Sequence, residues 1–397
     1  MKHPLYRGPA ILLASGFRPF FLFCVLYAVV APIAWAGIFA HGMAFPQAMN
    51  PALWHGHEMV FGFAAAAVAG FLLTAVPNWT GGDTLHGWPL GVMAAFWLAG
   101  RAGFWLIDGL PTVAVTLLDL PLLLLLAYFI GRQIVLARNQ RNYIFIGLLG
   151  AYAVGNLLVH LELLGLASGT GAKGTYLGLY SVLVMLTVVT GRVVPSFTAN
   201  ALRMQNRLLD IKTAPNVEAG AVNAVLATIV ADLALGASPV TGLLALTAAG
   251  MLALRMGDWG TRQTIHSPIV WVLHLGHGWL VAAFALKGIG DLTHLFPSTV
   301  ALHAFTTGAV GVMLIAIASR AALGHSGRPL VLPRFVPAAY VLVALGALIR
   351  VLGPILLPSA YVWVMAAASV VWSAGFGLFG VIYWPILTRP RIDGKPG

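Results

Sequence analysis

Apolar segments long enough to cross a lipid bilayer recur through the whole sequence, and they constrain the fold more than any other feature. A transmembrane α-helix needs about 20 consecutive, mostly apolar residues. Twelve such segments can be counted, and they are numbered here as spans 1 to 12. They lie near residues 19–40, 53–77, 88–108, 112–131, 143–166, 174–196, 216–236, 238–257, 267–288, 297–320, 335–357 and 359–387. The sequence therefore predicts an all-α integral membrane protein.

The composition agrees with this prediction. Of the 397 residues, 60% are hydrophobic and 8% are charged, whereas a soluble domain has roughly 25% charged residues. The net charge of +11 could suggest nucleic acid, but the positive residues lie in short loops between spans, so we expect contact with membrane lipid and not with nucleic acid. The single cysteine, Cys24, excludes an internal disulfide and a Cys-rich metal site. Residues 1–397 are predicted to form one polytopic membrane domain.

The distribution of Lys and Arg predicts that both termini are cytoplasmic. With the N-terminus inside, inner segments contain eighteen of the 22 Lys and Arg residues, and outer loops contain two, Lys173 and Lys287. This is the bias that orients membrane proteins. The remaining two, Arg101 and Arg350, fall within spans 3 and 11.

Spans 2, 6 and 10 follow a common plan, since each is predicted to end on the inner side in a polar, turn-rich motif. These motifs lie at residues 74–82, 190–198 and 318–329. The starts of the three spans are about 120 residues apart, which is the kind of fixed period that indicates a repeat. One interpretation is three four-helix units near 1–140, 141–265 and 266–397 around a pseudo-threefold axis. The other is twelve helices without a true repeat, because hydropathy alone creates similarity.

Ionisable side chains within the spans are the candidates for function, because such a group costs a few kcal/mol or more in lipid. Most of them fall in the predicted outer half of the bilayer. They are His55 and His57 in span 2, Arg101 in span 3, His160 in span 5, His274 and His277 in span 9, His303 in span 10 and Arg350 in span 11. Imidazole is the usual axial ligand of haem iron and also suits copper. We therefore predict that these histidines bind a metal or a haem.

The spacing of His55 and His57 separates them around span 2. Residues two apart lie about 200° apart on a helix, so both cannot point at one central metal. One could ligate while the other orients it or binds a second metal. A haem could lie between one histidine of span 2 and His303 of span 10. Arg101 and Arg350 could pair with its propionates.

An interpretation without metal is open for each histidine. A single intramembrane histidine can form a hydrogen bond between helices. His160 has Glu162 as a neighbour, and Glu162 could pair with Arg101. His274 and His277 are three residues apart and share a helix face, so they could act together. The histidines in or beside loops are expected to be solvated, namely His3, His41, His86, His266 and His294.

The predicted inner ends of spans 2, 6 and 10 form a second polar group. It comprises Asn78, Trp79, Thr80, Arg192, Arg320, His325 and Arg328. Positive-inside charge and helix capping are one explanation. A proton entry or an anion-binding surface is the other.

Several motifs resemble those of the NnrS family of bacterial membrane proteins, and the resemblance covers nearly the whole chain. They are GFRPFFL at 16–22, WHGHEMVFGF at 54–63, GFLLTAVPNWTG at 70–81, GRVVPSFT at 191–198, HLG at 274–276, LHAFTTGAVG at 302–311 and SRAALGHSGRPL at 319–330. The resemblance implies a bacterial inner-membrane protein with haem b and copper. It also implies a role in nitric oxide metabolism, denitrification and nitrosative-stress resistance.

The resemblance also identifies residues. The histidines of the family match His55, His57, His274 and His303, and its inner-face residues match Arg192, Arg320, His325 and Arg328. The family often has Tyr where this chain has His277, so the resemblance does not imply a ligand role for that residue.

The predicted architecture is similar to that of haem–copper oxidase catalytic subunits, which have twelve helices in three pseudo-symmetric sets and haem-binding histidines on helices 2 and 10. This chain has no histidine in span 6 and no His–His pair in span 7. A full oxidase-type dinuclear centre is therefore not expected, unless His274 and His277 substitute. Fold-level similarity of this kind carries little functional weight.

Three functions remain open. The first is a membrane haem protein that binds or reduces nitric oxide, or another small diatomic ligand, at a His-ligated site in the outer half of the bilayer. Whether it is an oxidoreductase is left open, and the sequence names no electron donor. The second is a secondary transporter of a small solute or metal that uses intramembrane His, Arg and Glu. The third is an assembly factor without chemistry of its own.

Overall fold

Long helices make up the protein. The computed structural model describes residues 8–43, 45–207, 211 and 213–395, and this part of the chain contains helices and no strand. The twelve long helical segments are α1 Phe17–Ala40, α2 Pro51–Thr80, α3 Trp88–Trp105, α4 Thr112–Leu136, α5 Gln140–Leu163, α6 Thr170–Met204, α7 Pro215–Leu235, α8 Pro239–Gly257, α9 Pro268–Thr293, α10 Thr299–His325, α11 Val336–Leu356 and α12 Pro358–Thr388.

Eleven of these described segments are long and apolar enough to cross a membrane. The other is α3, an 18-residue helix whose tryptophans, glycines and Arg101 make it less apolar. Each of the twelve predicted spans coincides with one of the helices, and this confirms the all-α prediction. The chain is a multi-pass α-helical membrane protein.

Helix α6 differs most from its predicted span. Span 6 is predicted to end near residue 196. Instead α6 runs for 35 residues from Thr170 to Met204, with Pro195 inside it. Pro195 removes one backbone donor, which membrane helices tolerate when neighbouring groups satisfy the freed carbonyl. The residues after Pro195 contain no further helix breaker, so the helix continues past the apolar segment.

The start of α2 is fixed by a local signal in the sequence. The side chain of Asn50 accepts hydrogen bonds from the backbone N–H groups of Ala52 and Leu53, at 2.9 and 3.3 Å. Pro51 occupies the first turn, where its missing N–H costs nothing. This start is the one that an Asn-Pro pair predicts.

Two helices contain a stretch of π-helix, which the sequence did not predict. In α2 it covers Glu58–Ala64, here the first π segment, and in α10 it covers Ala304–Val310, the second π segment. Each begins directly after a histidine, His57 or His303. Such segments are rare and are frequent at functional sites.

A tryptophan side chain satisfies a backbone carbonyl in each π segment. In the first, Trp97 Nε1 donates to the Gly62 carbonyl at 3.0 Å. In the second, Trp372 Nε1 donates to the Thr307 carbonyl at 3.2 Å. Each bond joins a carbonyl of the wider helix to a side chain of a neighbouring helix.

Glycines allow helices to pack at close range. A Cβ atom at Gly155 of α5 would lie 2.6 Å from the carbonyl oxygen of Gly174 in α6. A Cβ atom at Gly288 of α9 would lie 2.8 Å from the carbonyl oxygen of Gly242 in α8. Small residues at such crossings are typical of helix packing in membranes.

The chain divides into two compact units. Unit 1 comprises the described residues of Met1–Val182, Ala318–Leu330 and Phe379–Gly397, and unit 2 comprises those of Leu183–Ile317 and Val331–Leu378. This division does not test the predicted single membrane domain or the repeats near 1–140, 141–265 and 266–397. Both stay predictions.

Candidate metal centre

Four helices of unit 1 bring six polar side chains together in an apolar interior. They are His57 and Glu58 from α2, Arg101 from α3, Asp119 from α4, and Asn156 and His160 from α5, and we call them the carboxylate–histidine cluster. None of the six is more than 5% exposed. Polar groups this deeply buried in an apolar region must satisfy one another.

The ring of His57 is held on both edges and on one face. Its Nδ1 atom lies 3.0 Å from Glu58 Oε1, and its Nε2 atom lies 2.9 Å from Asn156 Oδ1. Asn156 donates through Nδ2 to Asp119 Oδ2 at 2.8 Å, which directs its oxygen towards His57. Phe104 stacks on the ring with centroids 3.8 Å apart. The orientation of His57 is therefore determined by its surroundings.

Arg101 connects the two carboxylates. Its guanidinium donates to both Glu58 and Asp119, while the Tyr27 hydroxyl donates to the second oxygen of Glu58. Gly62, in the first π segment, leaves space for this guanidinium. A Cβ atom there would lie 2.7 Å from Arg101 Nη1 and 2.8 Å from the Tyr27 ring.

His160 completes the cluster on the side of Asp119. Its Nε2 atom lies 3.0 Å from Asp119 Oδ2, and its Nδ1 atom lies 3.0 Å from the Thr116 hydroxyl. The same oxygen of Asp119 lies 3.4 Å from His57 Nε2. Two imidazole nitrogens therefore converge on one carboxylate oxygen.

This convergence could hold a metal ion. Ligand atoms from His57, Asp119 and His160 all lie within 4.8 Å of one another. Metal-binding histidines usually donate the N–H of their other ring nitrogen to a carboxylate or another oxygen. Here the two Nδ1 atoms contact Glu58 and Thr116, while His57 Nε2 faces the acceptor Asn156 Oδ1 and His160 Nε2 faces Asp119 Oδ2. A bound metal ion would take the place of the protons on these Nε2 atoms. Two imidazoles and a carboxylate form a donor set that suits copper or zinc.

The charges of the cluster also favour a cation. With both carboxylates ionised and both imidazoles neutral, Glu58, Asp119 and Arg101 sum to one net negative charge. A buried charge without compensation is costly. One added proton or a bound metal ion would reduce this imbalance.

The two histidines of α2 have different surroundings, as their spacing predicts. His55 is half-buried and stacks on Trp35, with ring centroids 4.3 Å apart and an interplanar angle of 13°. It is absent from the metal-competent group, which contains His57. Glu58 shares a helix face with His55 in a regular α-helix, but it contacts His57 and Arg101 instead.

The predicted histidines of α9 belong to unit 2, and each has its own polar partners. His274 lies 2.8 Å from the Thr198 hydroxyl and 3.0 Å from the Thr261 hydroxyl. His277 lies 3.1 Å from the Leu252 carbonyl. Both are buried, and neither belongs to a group of three metal ligands among the described residues.

His303 also lies in the part of α10 that belongs to unit 2. Its Nδ1 atom lies 2.7 Å from the carbonyl oxygen of Thr299, one turn earlier in α10. The predicted pairing of His303 with a histidine of α2 joins residues of different units, and it stays a prediction.

The two arginines within the spans are both engaged by protein groups. Arg350 is 7% exposed and lies near the side chain of Tyr361. Arg101 pairs with Glu58 and Asp119, so the alternative in which Glu162 pairs with Arg101 is wrong. Glu162 instead accepts a hydrogen bond from the backbone N–H of Gly171 at 2.8 Å. The role of both arginines as propionate partners stays a prediction.

The sequence analysis missed two central members of the cluster, Asp119 and Asn156. A carboxylate inside an apolar span is itself a signal of function, and Asp119 lies in predicted span 4 next to a run of leucines. That signal could have identified it. Nothing in a single sequence shows that α4 places this carboxylate against α5.

Comparison with known proteins identifies the family. A family-level sequence comparison matches residues 11–391 to the family described as NnrS protein. No curated protein matches the chain. Because the match covers nearly all of the sequence, this chain belongs to the NnrS family.

Proposed function

We propose that this protein is a membrane metalloprotein of nitric oxide metabolism that carries haem b and copper. Its role would lie in nitrosative-stress resistance and denitrification, in the inner membrane of a bacterium. The observation that carries the proposal is the set of His57, Asp119 and His160, which is buried among membrane helices and competent to bind a metal. Membership of the NnrS family supports the link to nitric oxide.

Copper is assigned to the carboxylate–histidine cluster. His57 Nε2, His160 Nε2 and Asp119 Oδ2 would hold the ion, since nitrogen and oxygen ligands suit Cu(II). A bound copper ion would supply one-electron chemistry. Arg101 would keep the Asp119 carboxylate in place, and Glu58 would orient the His57 ring.

Haem b is assigned to His303, on the evidence of its tautomer. The Thr299 carbonyl can only accept a hydrogen bond, so the proton of a neutral His303 ring lies on Nδ1. Its Nε2 atom then carries the lone pair that axial ligation of haem iron requires. His274, which lies in the same unit as His303, is a further candidate to hold the haem. A bound haem would supply an iron ion that nitric oxide can bind.

The visible spectrum and metal content of the purified protein test this proposal. We expect a Soret band, with sharp α and β bands on reduction, together with bound copper. His303→Ala should lose haem, whereas Asp119→Asn should lose copper and keep haem. His86→Ala is the matched control, because His86 is exposed and contacts only the backbone of its own loop. Full haem and copper in both test variants would contradict the assignments.

A transporter function is the alternative, and one observation favours it. An arginine paired with two carboxylates inside membrane helices is an arrangement that also serves ion-coupled transport. A colourless, metal-free protein that moves a solute or metal across proteoliposomes would establish this alternative over the metalloprotein.

A further inference from the structure

Four arginines of unit 1 lie where three membrane helices begin or end. Arg18 lies at the start of α1, Arg328 follows the end of α10, and Arg389 and Arg391 follow the end of α12. We call this group the arginine cluster. It shares no residue with the carboxylate–histidine cluster, and the proposed function assigns it no role.

Two of these arginines have clear structural roles. Arg18 is fully buried and donates through Nη1 to the carbonyl oxygens of Leu387 and Arg389, both at 2.8 Å. Arg391 donates through Nη1 to the carbonyl oxygen of His325 at 2.7 Å. Carbonyl groups at helix C-termini lack partners within the helix, and cations stabilise them. Helix capping therefore accounts for Arg18 and Arg391.

Asp393, a carboxylate beside the arginine cluster, is already paired with Arg391. Arg391 donates through Nε and Nη2 to the two oxygens of Asp393, at 2.9 and 2.6 Å. This contact lowers the pKa of Asp393 to about 2, so the carboxylate is ionised at neutral pH. A Cβ atom at position 327 would lie 2.7 Å from the Asp393 carboxyl group, and Gly327 has a positive φ of 73° that suits glycine. The loop beside Arg328 is therefore held in one conformation.

Arg328 lacks such a partner. Its Nη1 atom is buried, and no described residue accepts a hydrogen bond from it. Burial and the positive charge of Arg389 both lower the pKa of Arg328. A guanidinium with one buried, unbonded nitrogen and a second guanidinium nearby is unfavourable unless an anion binds there.

We propose that Arg328 and Arg389 bind the phosphate group of an anionic phospholipid. Phosphate oxygens accept several N–H groups at once and match the planar fork of arginine. The cluster lies at the ends of membrane-spanning helices, which is the depth of lipid headgroups. The Lys and Arg distribution predicts that this end faces the cytoplasm, where the leaflet carries anionic lipid.

Lipid titration of the full-length protein tests the proposal. The protein is held in neutral detergent and its melting temperature is followed as short-chain phosphatidylglycerol is added, with phosphatidylcholine of the same chain length in parallel. We expect phosphatidylglycerol alone to stabilise the wild type. Arg328→Gln and Arg389→Gln should each raise the lipid concentration for half-maximal stabilisation roughly fivefold, as expected for one charge near an anionic surface.

Controls separate this result from general effects of charge and from other anions. Arg138→Gln removes an exposed arginine of unit 1 and should titrate like the wild type. Arg389 is exposed, so its variant should fold even if the Arg328 variant does not. Unchanged titration of Arg389→Gln, or equal stabilisation by phosphatidylcholine, would overturn the proposal. Equal stabilisation by inorganic phosphate alone would also overturn it, since the ligand would then be a soluble anion.

Discussion

Arg101 lies between the carboxylates of Glu58 and Asp119, and its single charge cannot offset both of them. With both carboxylates ionised, the remaining negative charge would favour a bound proton or metal ion, and the same imbalance would make the cluster sensitive to substitution. Removing one partner of a buried ion pair usually costs more than the pair contributes, because the other charge is left buried.

Substitution of Arg101 should destabilise the protein more than substitution of Asp119. Arg101→Gln leaves two buried carboxylates without a cation, and we expect a loss of about 3–5 kcal/mol in the free energy of unfolding. Asp119→Asn leaves one cation and one carboxylate, so its loss should be smaller. Thermal unfolding in detergent measures both, with the exposed Arg132→Gln as control.

The double variant Arg101→Gln with Asp119→Asn removes one charge of each sign. We expect it to be more stable than Arg101→Gln alone, because only Glu58 then remains uncompensated. A double variant no more stable than Arg101→Gln would contradict the charge argument and would point to packing as the main role of Arg101.

At the scale of helices, the π segments connect local backbone geometry with the positions of the histidines. Both begin directly after a histidine, and both have a tryptophan that donates to one of their carbonyls. Hydropathy predicts the positions of the spans well, since any apolar run of this length must be helical in lipid. It cannot distinguish α from π, because hydropathy reports how apolar a segment is and not how its residues are arranged around the helix axis. The π segments were missed for that reason.

The glycine of the first π segment offers a test at this scale. Gly62→Ala places a methyl group 2.7 Å from Arg101 Nη1, so the guanidinium or the Tyr27 ring must move. We expect lower thermal stability and weaker copper binding. Gly147→Ala in α5 is the control, because a Cβ atom there meets nothing within 4 Å and alanine favours a helix over glycine. Equal stability and copper content in the two variants would show that Gly62 is not needed for space.

At the scale of the whole molecule, sequence patterns predicted the class of protein and its membrane helices, but only part of the candidate site. His57 and His160 were identified by their type and by their location in spans. Their meeting at Asp119 depends on how α2, α4 and α5 pack, and packing between helices leaves no pattern in one sequence. Glycines permit close helix crossings, but a single sequence does not show which helices cross.

The orientation in the membrane is a prediction at this scale. Cys24 is 4% exposed, so it should not react with a membrane-impermeant maleimide. Lys173→Cys and Lys395→Cys then each provide one accessible thiol, since both positions are exposed. In spheroplasts, from which the outer membrane has been removed, Lys173→Cys should react with the maleimide. Lys395→Cys should react only after the inner membrane is permeabilised. The reverse pattern would place the C-terminus outside.

The first π segment makes the direction of His57 depend on the number of residues in α2. Deleting one residue between positions 58 and 64 would let this stretch adopt a regular α-helix, and the span would still be long enough to cross the bilayer. The residues before the deletion would rotate by about 100° relative to those after it. His57 would then point away from Asp119, although no amino acid of the site had been replaced. The number of residues in α2, as well as their identity, therefore determines the direction in which His57 points.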